Sequence, residues 1–272
     1  MLRHWTLQHA QQSVGTQIQA LPAPRETLIT ALDGSMVPLV RPAESGDGRK
    51  NKELLWREIR VAVARRKEDA SARYGATLDS SLGAGLMWRQ TAEQGGLTEQ
   101  TPVHAVADGA PWIVEQCDRQ FGERATFLVD FHHVSEYLAA AAVPCAGKES
   151  AHWFEKQKQR LLANQVEEVL RELQTHFEAG PKDGEGKTPP VRQAHQYIKE
   201  RKDWMDYAGA LKAKLPIGSG PVESAHRHIV QARVKKAGAW WREQNVEDVV
   251  QMRVVRANGA WNTYWMSKAS LT

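Results

Sequence analysis

The order of apolar and polar positions predicts an α/β chain whose middle turns all-helical. Thr27 to Leu32 is an apolar, partly β-branched run that suits a buried strand. It ends at Asp33-Gly34, and Met36 to Val40 resumes as a second strand, so the pair reads as a hairpin. Trp56 to Ala64 alternates, placing Ile59, Val61 and Val63 on one face of a third strand. Ser81 to Gln94 reads as a helix stopped by Gly95-Gly96. Val103 to Ala107 is a short strand ending at Asp108-Gly109. A helix follows at once, with Pro111 early and Ile113, Val114, Cys117 and Phe121 recurring on one face. Ala125 to Val129 is another strand, ending at Asp130, and the next helix carries Val134, Tyr137, Leu138 and Ala141. This strand-helix-strand-helix rhythm predicts parallel strands joined by a right-handed crossover.

From about Ser150 the pattern changes. Leu162, Val166, Val169, Leu170, Leu173 and Phe177 keep helical spacing over several turns. Residues 179–190 read as a break, Val191 to Lys214 as another helix, and Asn245 to Ala257 as one more before the closing WNTYW segment. Met1 to Pro24 is polar, a short helical lead-in ended by Pro22 and Pro24, and Pro42 to Lys52 is a polar loop.

Composition narrows the class. Among 272 residues, 42% are apolar and 25% charged, the balance of a soluble globular protein. No apolar run has the length of a membrane span, so no membrane partner is expected. Cys117 and Cys145 have no metal-ligand spacing, which makes a reducing cytoplasm the expected compartment. The net charge of +4 permits nucleic-acid binding without demanding it.

Candidate chemistry gathers around Leu215 to Ala225, LPIGSGPVESA. Gly218 and Gly220 allow backbone angles that other residues resist, Ser219 can cap a helix, and Pro221 suits its first position. Glu223 then falls in the first turn. The plain reading is a capped helix, with Asp33-Gly34 and Asp108-Gly109 as structural turns. The alternative is a metal site, because carboxylates at strand and helix ends converge outside a sheet and repel one another unless compensated. Mg²⁺ resolves that conflict, and two such ions about 4 Å apart activate a hydroxyl and stabilise the leaving oxygen of a phosphodiester.

The segments LITALDGSMVPL, HAVADGAPWI, FLVDFHHVSEYL and LPIGSGPVESAHRHIVQARVKKAG, in this order, resemble bacterial insertion-sequence transposases of the DDE type. Within them the resemblance is to the Kra-type family, related to Mutator-like transposases, and it runs from about Leu28 to Trp265. It implies an RNase H-like fold: a mixed five-stranded sheet flanked by helices, with an all-α insertion before the last acidic residue. The implied organisation is a lead-in over 1–26, a first part of the catalytic core over 27–148, the insertion over 149–211, and the last part over 212–272. Family members carry a longer N-terminal region, so the resemblance also implies an N-terminally shortened member.

Carried over residue by residue, Asp33, Asp108 and Glu223 resemble the catalytic, metal-binding triad, with Mg²⁺ or Mn²⁺ as cofactor and two ions implied. Asp130 and His133 resemble the supporting aspartate and histidine of the aspartate-x-x-histidine signature. Asp130 also rivals Asp108 for the second place, since it too ends a strand. His132 reads as a helix-capping neighbour. His226 and Arg227 follow Glu223 by three and four residues and are expected to share its face as phosphate contacts. Arg233, Lys235 and Lys236 suit backbone phosphates further along. The expected activity is metal-dependent DNA cleavage and strand transfer of an insertion sequence. Its partners would be transposon ends and target DNA, with a homo-oligomer in the DNA complex and nucleoid association when bound. A DNA-binding remnant without activity and an RNase H-like nuclease that hydrolyses without joining remain open alternatives.

Overall fold

The computed structural model describes residues 26–42, 52–179 and 188–269. The expected lead-in, most of the Pro42–Lys52 loop and most of the 179–190 break lie outside the described residues. Five strands form one mixed sheet in the order β3-β2-β1-β4-β5, flanked by helices. This is the sheet that the RNase H-like expectation requires. The strands are β1 (Leu28–Pro42), β2 (Lys52–Arg66), β3 (Arg73–Thr77), β4 (Val103–Ala107) and β5 (Ala125–Val129).

Two expectations about strands are corrected. Thr27–Leu32 and Met36–Val40 are not the arms of a hairpin but one continuous strand, β1, antiparallel to β2 throughout. Asp33-Gly34 does not turn, because Asp33 pairs with Val61 and Gly34 with Arg60 in an unbroken ladder. The Asp33 carboxylate Oδ1 accepts the Gly34 N–H at 2.8 Å, so the pair satisfies itself without leaving the strand. Asp33 is therefore mid-strand rather than strand-terminal. The sequence pattern also misses β3, which pairs with β2 through Arg60↔Thr77 to Ala64↔Arg73.

The chain divides into two compact units. The first holds the residues up to Ala105, Trp112–Thr126 and those from Gly220 on; the second holds Val106–Pro111 and Phe127–Ser219. In the first unit lie β1, β2, β3, α1 (Ser81–Gln94), α2 (Pro111–Phe121) from Trp112 on, α8 (Gly220–Ala225), α9 (Glu243–Ala257) and α10 (Trp261–Ala269). A π-helical turn, His226–Gln231, continues α8. The odd-numbered face of β1 and the matching face of β2 bury Ala31, Val37, Leu39, Ile59, Val61 and Val63 against Val222, Ala225, Ile229, Val230, Val246 and Val250. Side chains alternate between this helical layer and the opposite face, where Leu28, Thr30 and Leu32 are also buried.

On the other face, Thr30 sits in a short relay. Trp88, fully buried on α1, donates from Nε1 to the Thr30 hydroxyl at 2.7 Å, and that hydroxyl donates to the Val63 carbonyl at 2.7 Å. Replacing Thr30 with valine keeps the volume but strands the indole N–H. Urea unfolding of Thr30→Val should show a loss of about 1–3 kcal/mol with an unchanged m-value.

The second unit is built on α3 (Phe131–Ala146), α4 (Ser150–Leu162), α5 (Val166–Thr175), α6 (Pro190–Arg201) and α7 (Tyr207–Lys212). Its core joins Leu128 and Val129 to Val134, Leu138, Leu161, Val169, Leu173, Val191, Ile198 and Tyr207. The helical run expected across Leu162–Phe177 is two segments, broken where Asn164 takes a left-handed φ of 58°. Its amide holds the break, donating to Asp206 at 2.6 Å while its carbonyl accepts the Ala208 N–H at 3.0 Å. Val191–Lys214 likewise divides into α6 and α7.

Candidate functional site

In the first unit the candidate acids are Asp33 and Glu223. The Asp33 side chain is 29% exposed on β1. His226 closes on it, with Nε2 3.3 Å from Asp33 Oδ2 and 3.3 Å from the Asp33 backbone carbonyl. Glu223 lies three residues before His226 on the same helix, so it rises one turn from the residue that touches Asp33. Its side chain is exposed, and among the described residues it makes no hydrogen bond or ion pair.

The expected shared face of Glu223 and His226 is corrected. His226 is buried, on the apolar side with Val222, Ala225 and Ile229, while Glu223 and Arg227 point to solvent. A buried imidazole at this position meets Asp33, not a phosphate. Past it the helix widens into a π turn, in which Ala232 N donates to Arg227 O five residues back at 2.9 Å. The His228 carbonyl freed by this widening accepts Arg253 Nε at 3.0 Å from α9.

The remaining basic candidates, Arg227, Arg233, Lys235 and Lys236, are all exposed. Among the described residues none of the four is in an ion pair. Lys235 donates to the Ser35 hydroxyl, two residues beyond Asp33 along β1. Four cations without carboxylate partners on one stretch leave positive charge available for an anionic polymer.

In the second unit, Asp108 closes β4 in a half-buried turn whose carboxylate Oδ1 accepts the Ala110 N–H at 2.8 Å. Gly109 must be glycine, since its φ is +75° and a Cβ would stand 2.9 Å from Arg201 Cδ. Two side chains of α6 clamp the turn: the Tyr197 hydroxyl donates to the Asp108 carbonyl, and Arg201 Nε donates to the Gly109 carbonyl at 3.0 Å. Tyr197 stacks on Tyr137 at 4.1 Å and lies under the Arg201 guanidinium at 4.1 Å. Burial pushes its phenol pKa up, against the opposing pull of Arg201, so it stays a proton donor. Neither residue was expected from the sequence; their i, i+4 spacing on α6 is the only local signal.

Asp130 is fully buried, and both of its oxygens are engaged. Oδ1 accepts the His132 N–H at 2.6 Å as the cap of α3, and Oδ2 accepts the Ser219 N–H at 2.7 Å and the Ser219 hydroxyl. Ser219 thus uses its hydroxyl on Asp130. Gly218 also differs from expectation, since neither Gly218 nor Gly220 has a positive φ. What Gly218 provides is room, because a Cβ there would stand 2.7 Å from His132 Cδ2. His133 is half-buried on α3, its Nδ1 3.8 Å from Glu136.

Among the described residues no group of three or more His, Cys, Asp or Glu side chains is placed to hold a metal ion. Among the described residues no helix is long and apolar enough to cross a membrane.

Residues 93–268 match the model of the uncharacterised protein family UPF0236. The chain belongs to this family. The UPF0236 match takes in Asp108, Asp130 and Glu223 and begins after Asp33. Among curated proteins none matches the chain. Of the solved structures, it is similar to the Drosophila P element transposase strand transfer complex, with 11% identity, 91% of this chain and 66% of that one covered, and a TM-score of 0.31. It is also similar to the crystal structure of NurA, with 14% identity, 93% of this chain and 58% of that one covered, and a TM-score of 0.15. A third similarity is to NurA bound to dAMP and manganese, with 12% identity, 95% and 58% covered, and a TM-score of 0.14. The chain spans less than two thirds of each of these structures, and none superposes closely enough to carry an argument about mechanism.

Proposed function

We propose that this UPF0236 member is a DDE-type transposase that cleaves DNA and transfers strands with a divalent cation, Mg²⁺ or Mn²⁺. The observation that carries the reading is that a partly exposed, mid-strand Asp33 meets, through His226, the helix that presents the exposed Glu223 one turn earlier. Asp33 and Glu223 are the donor type that Mg²⁺ and Mn²⁺ prefer, although among the described residues they form no group of three around an ion. Asp33 is anchored in a ladder, and among the described residues Glu223 has no competing cation to displace. Of the two candidates for the second aspartate, this reading keeps Asp108, because Asp130 has spent both oxygens on buried N–H and O–H donors. When bound, the cations supply activation of the attacking hydroxyl and stabilisation of the leaving oxygen. The chain's own residues position the carboxylates and bind the polymer: Tyr197 and Arg201 set the Asp108 turn, and Arg227, Arg233, Lys235 and Lys236 meet backbone phosphates.

The test is incubation of the full chain with labelled duplexes carrying the ends of the DNA element that encodes it, plus an unlabelled target. Nicked ends and end-target joints that require Mg²⁺ or Mn²⁺ are the expected products. Nicking without joints would make the protein a nuclease. DNA binding with neither product under either metal would leave a binding protein and overturn the proposal.

A further inference from the structure

We infer that the outer edge of β2 pairs with β2 of a second copy of this chain, antiparallel and centred on Leu55. The inference is independent of the function proposed above, since it concerns the chain without DNA. β2 runs from Lys52 to Arg66, but β3 pairs only with Arg60 to Ala64. Among the described residues no strand lies along the outer edge of Lys52 to Ile59. Which backbone groups face that edge follows from β1. The N–H groups of Leu28, Gly34 and Val40 bond the Pro102 carbonyl, the Asp33 carboxylate and the Trp241 carbonyl, none of them on β2. Even-numbered residues of β1 therefore turn their backbone away from β2, and Pro38, which has no N–H, sits in the same phase. Their partners Leu54, Trp56 and Glu58, and Lys52 in the same phase, turn their own N–H and C=O groups to the open edge.

A twofold pairing must set these even-numbered residues opposite one another. Centred on Leu55, it places Lys52 opposite the second copy's Glu58, Glu53 opposite its Arg57 and Leu54 opposite its Trp56, and each match occurs twice. About eight ladder hydrogen bonds close the edge. Neighbouring registers lose the match: in one, Lys52 meets Trp56 and Glu53 meets Leu55; in the other, Lys52 meets Arg60. Leu54 and Trp56 are 51% and 57% exposed, large apolar side chains on an open strand edge, a combination that invites pairing. Lys52, Glu53 and Arg57 are exposed as well. Glu53 with Arg41, Arg57 with Glu243 and Glu58 with Arg60 already form ion pairs within the chain, but all are at least partly exposed, where such pairs rearrange at little cost.

Sedimentation equilibrium of the full chain, without DNA, tests the pairing. The wild type should be a dimer at micromolar concentrations. Leu54→Pro removes an N–H that β1 does not use, so the variant should melt as the wild type does while the dimer is lost. Lys52→Glu sets like charges opposite one another twice and should weaken dimerisation on the order of tenfold. Adding Glu58→Lys restores opposite signs and should recover the wild-type constant. The two positions are about 20 Å apart along their own strand, too far to meet within one chain, so recovery reports contact with the second copy. If Leu54→Pro does not fold, the charge reversal and its rescue decide. A wild type that stays monomeric would overturn the inference, and so would a dimer that neither Leu54→Pro nor Lys52→Glu weakens. Weakening by Lys52→Glu without recovery by Glu58→Lys would overturn the register centred on Leu55.

Discussion

Replacing Glu223 with glutamine should abolish metal-dependent cleavage and joining while the protein stays folded and bound to DNA. Glutamine keeps the size of the side chain and one carbonyl oxygen but removes the charge a divalent cation requires. Metal activation is worth several kcal/mol of barrier, so the rate should fall on the order of 10³-fold or more. Affinity for DNA should hold, because Arg227, Arg233, Lys235 and Lys236 are untouched and exposed. Stability should hold as well, since Glu223 makes no ion pair or hydrogen bond among the described residues. A capped-helix role predicts the opposite pattern, a small loss of melting temperature and no specific loss of chemistry. Strand transfer, DNA affinity and melting temperature measured on one preparation separate the two. Retained strand transfer would end the assignment of Glu223.

The second large effect is expected at Asp130, and it is on stability. Its carboxylate is fully buried and accepts two backbone N–H groups and the Ser219 hydroxyl. Asp130→Ala leaves those donors facing a void, and bonds to a charged acceptor count for more than neutral ones. Urea unfolding should show a loss of about 3–5 kcal/mol, and the melting temperature should fall on the order of 10 °C. Asp130→Asn keeps one acceptor oxygen and should lose less. Below its melting transition Asp130→Asn should still cleave DNA. A variant that folds as the wild type and has lost cleavage would make Asp130 the second catalytic aspartate in place of Asp108.

These residues also show how far the chain could be read from its sequence. β4 and β5 are short apolar runs closed by aspartates, and their observed bounds are the expected ones because the local pattern marks both ends. Asp33-Gly34 misled because Asp-Gly is a turn signal only where the backbone reverses, and here β2 pairs straight past it. β3, RYGAT, has too little apolar alternation to announce itself. Its outer edge is satisfied by Asn258, which both donates to and accepts from the Tyr74 backbone at 2.9 Å from far along the chain. The contact between His226 and Asp33 was equally hidden, since spacing from Glu223 placed His226 on the solvent face and only packing against β1 turned it inward. Asp108 and Glu223 carried a recognisable order; their clamps and neighbours belong to tertiary structure.

The π turn at His226–Gln231 has a bearing on how this chain tolerates changes in length. A π turn is an α-helix that has accommodated one additional residue, and its i to i+5 bond marks the place. Deleting one residue there would let the helix close into ordinary α geometry and keep its backbone bonded. A π turn and the shorter α turn that replaces it sweep nearly the same angle, so the residues beyond the deletion keep their azimuth relative to Glu223. Val234 would stay on the β1-β2 face, and Arg233, Lys235 and Lys236 would keep their places around the axis. A single codon lost from this turn is therefore absorbed, whereas one lost from an ordinary α-helical stretch rotates everything after it by about 100°.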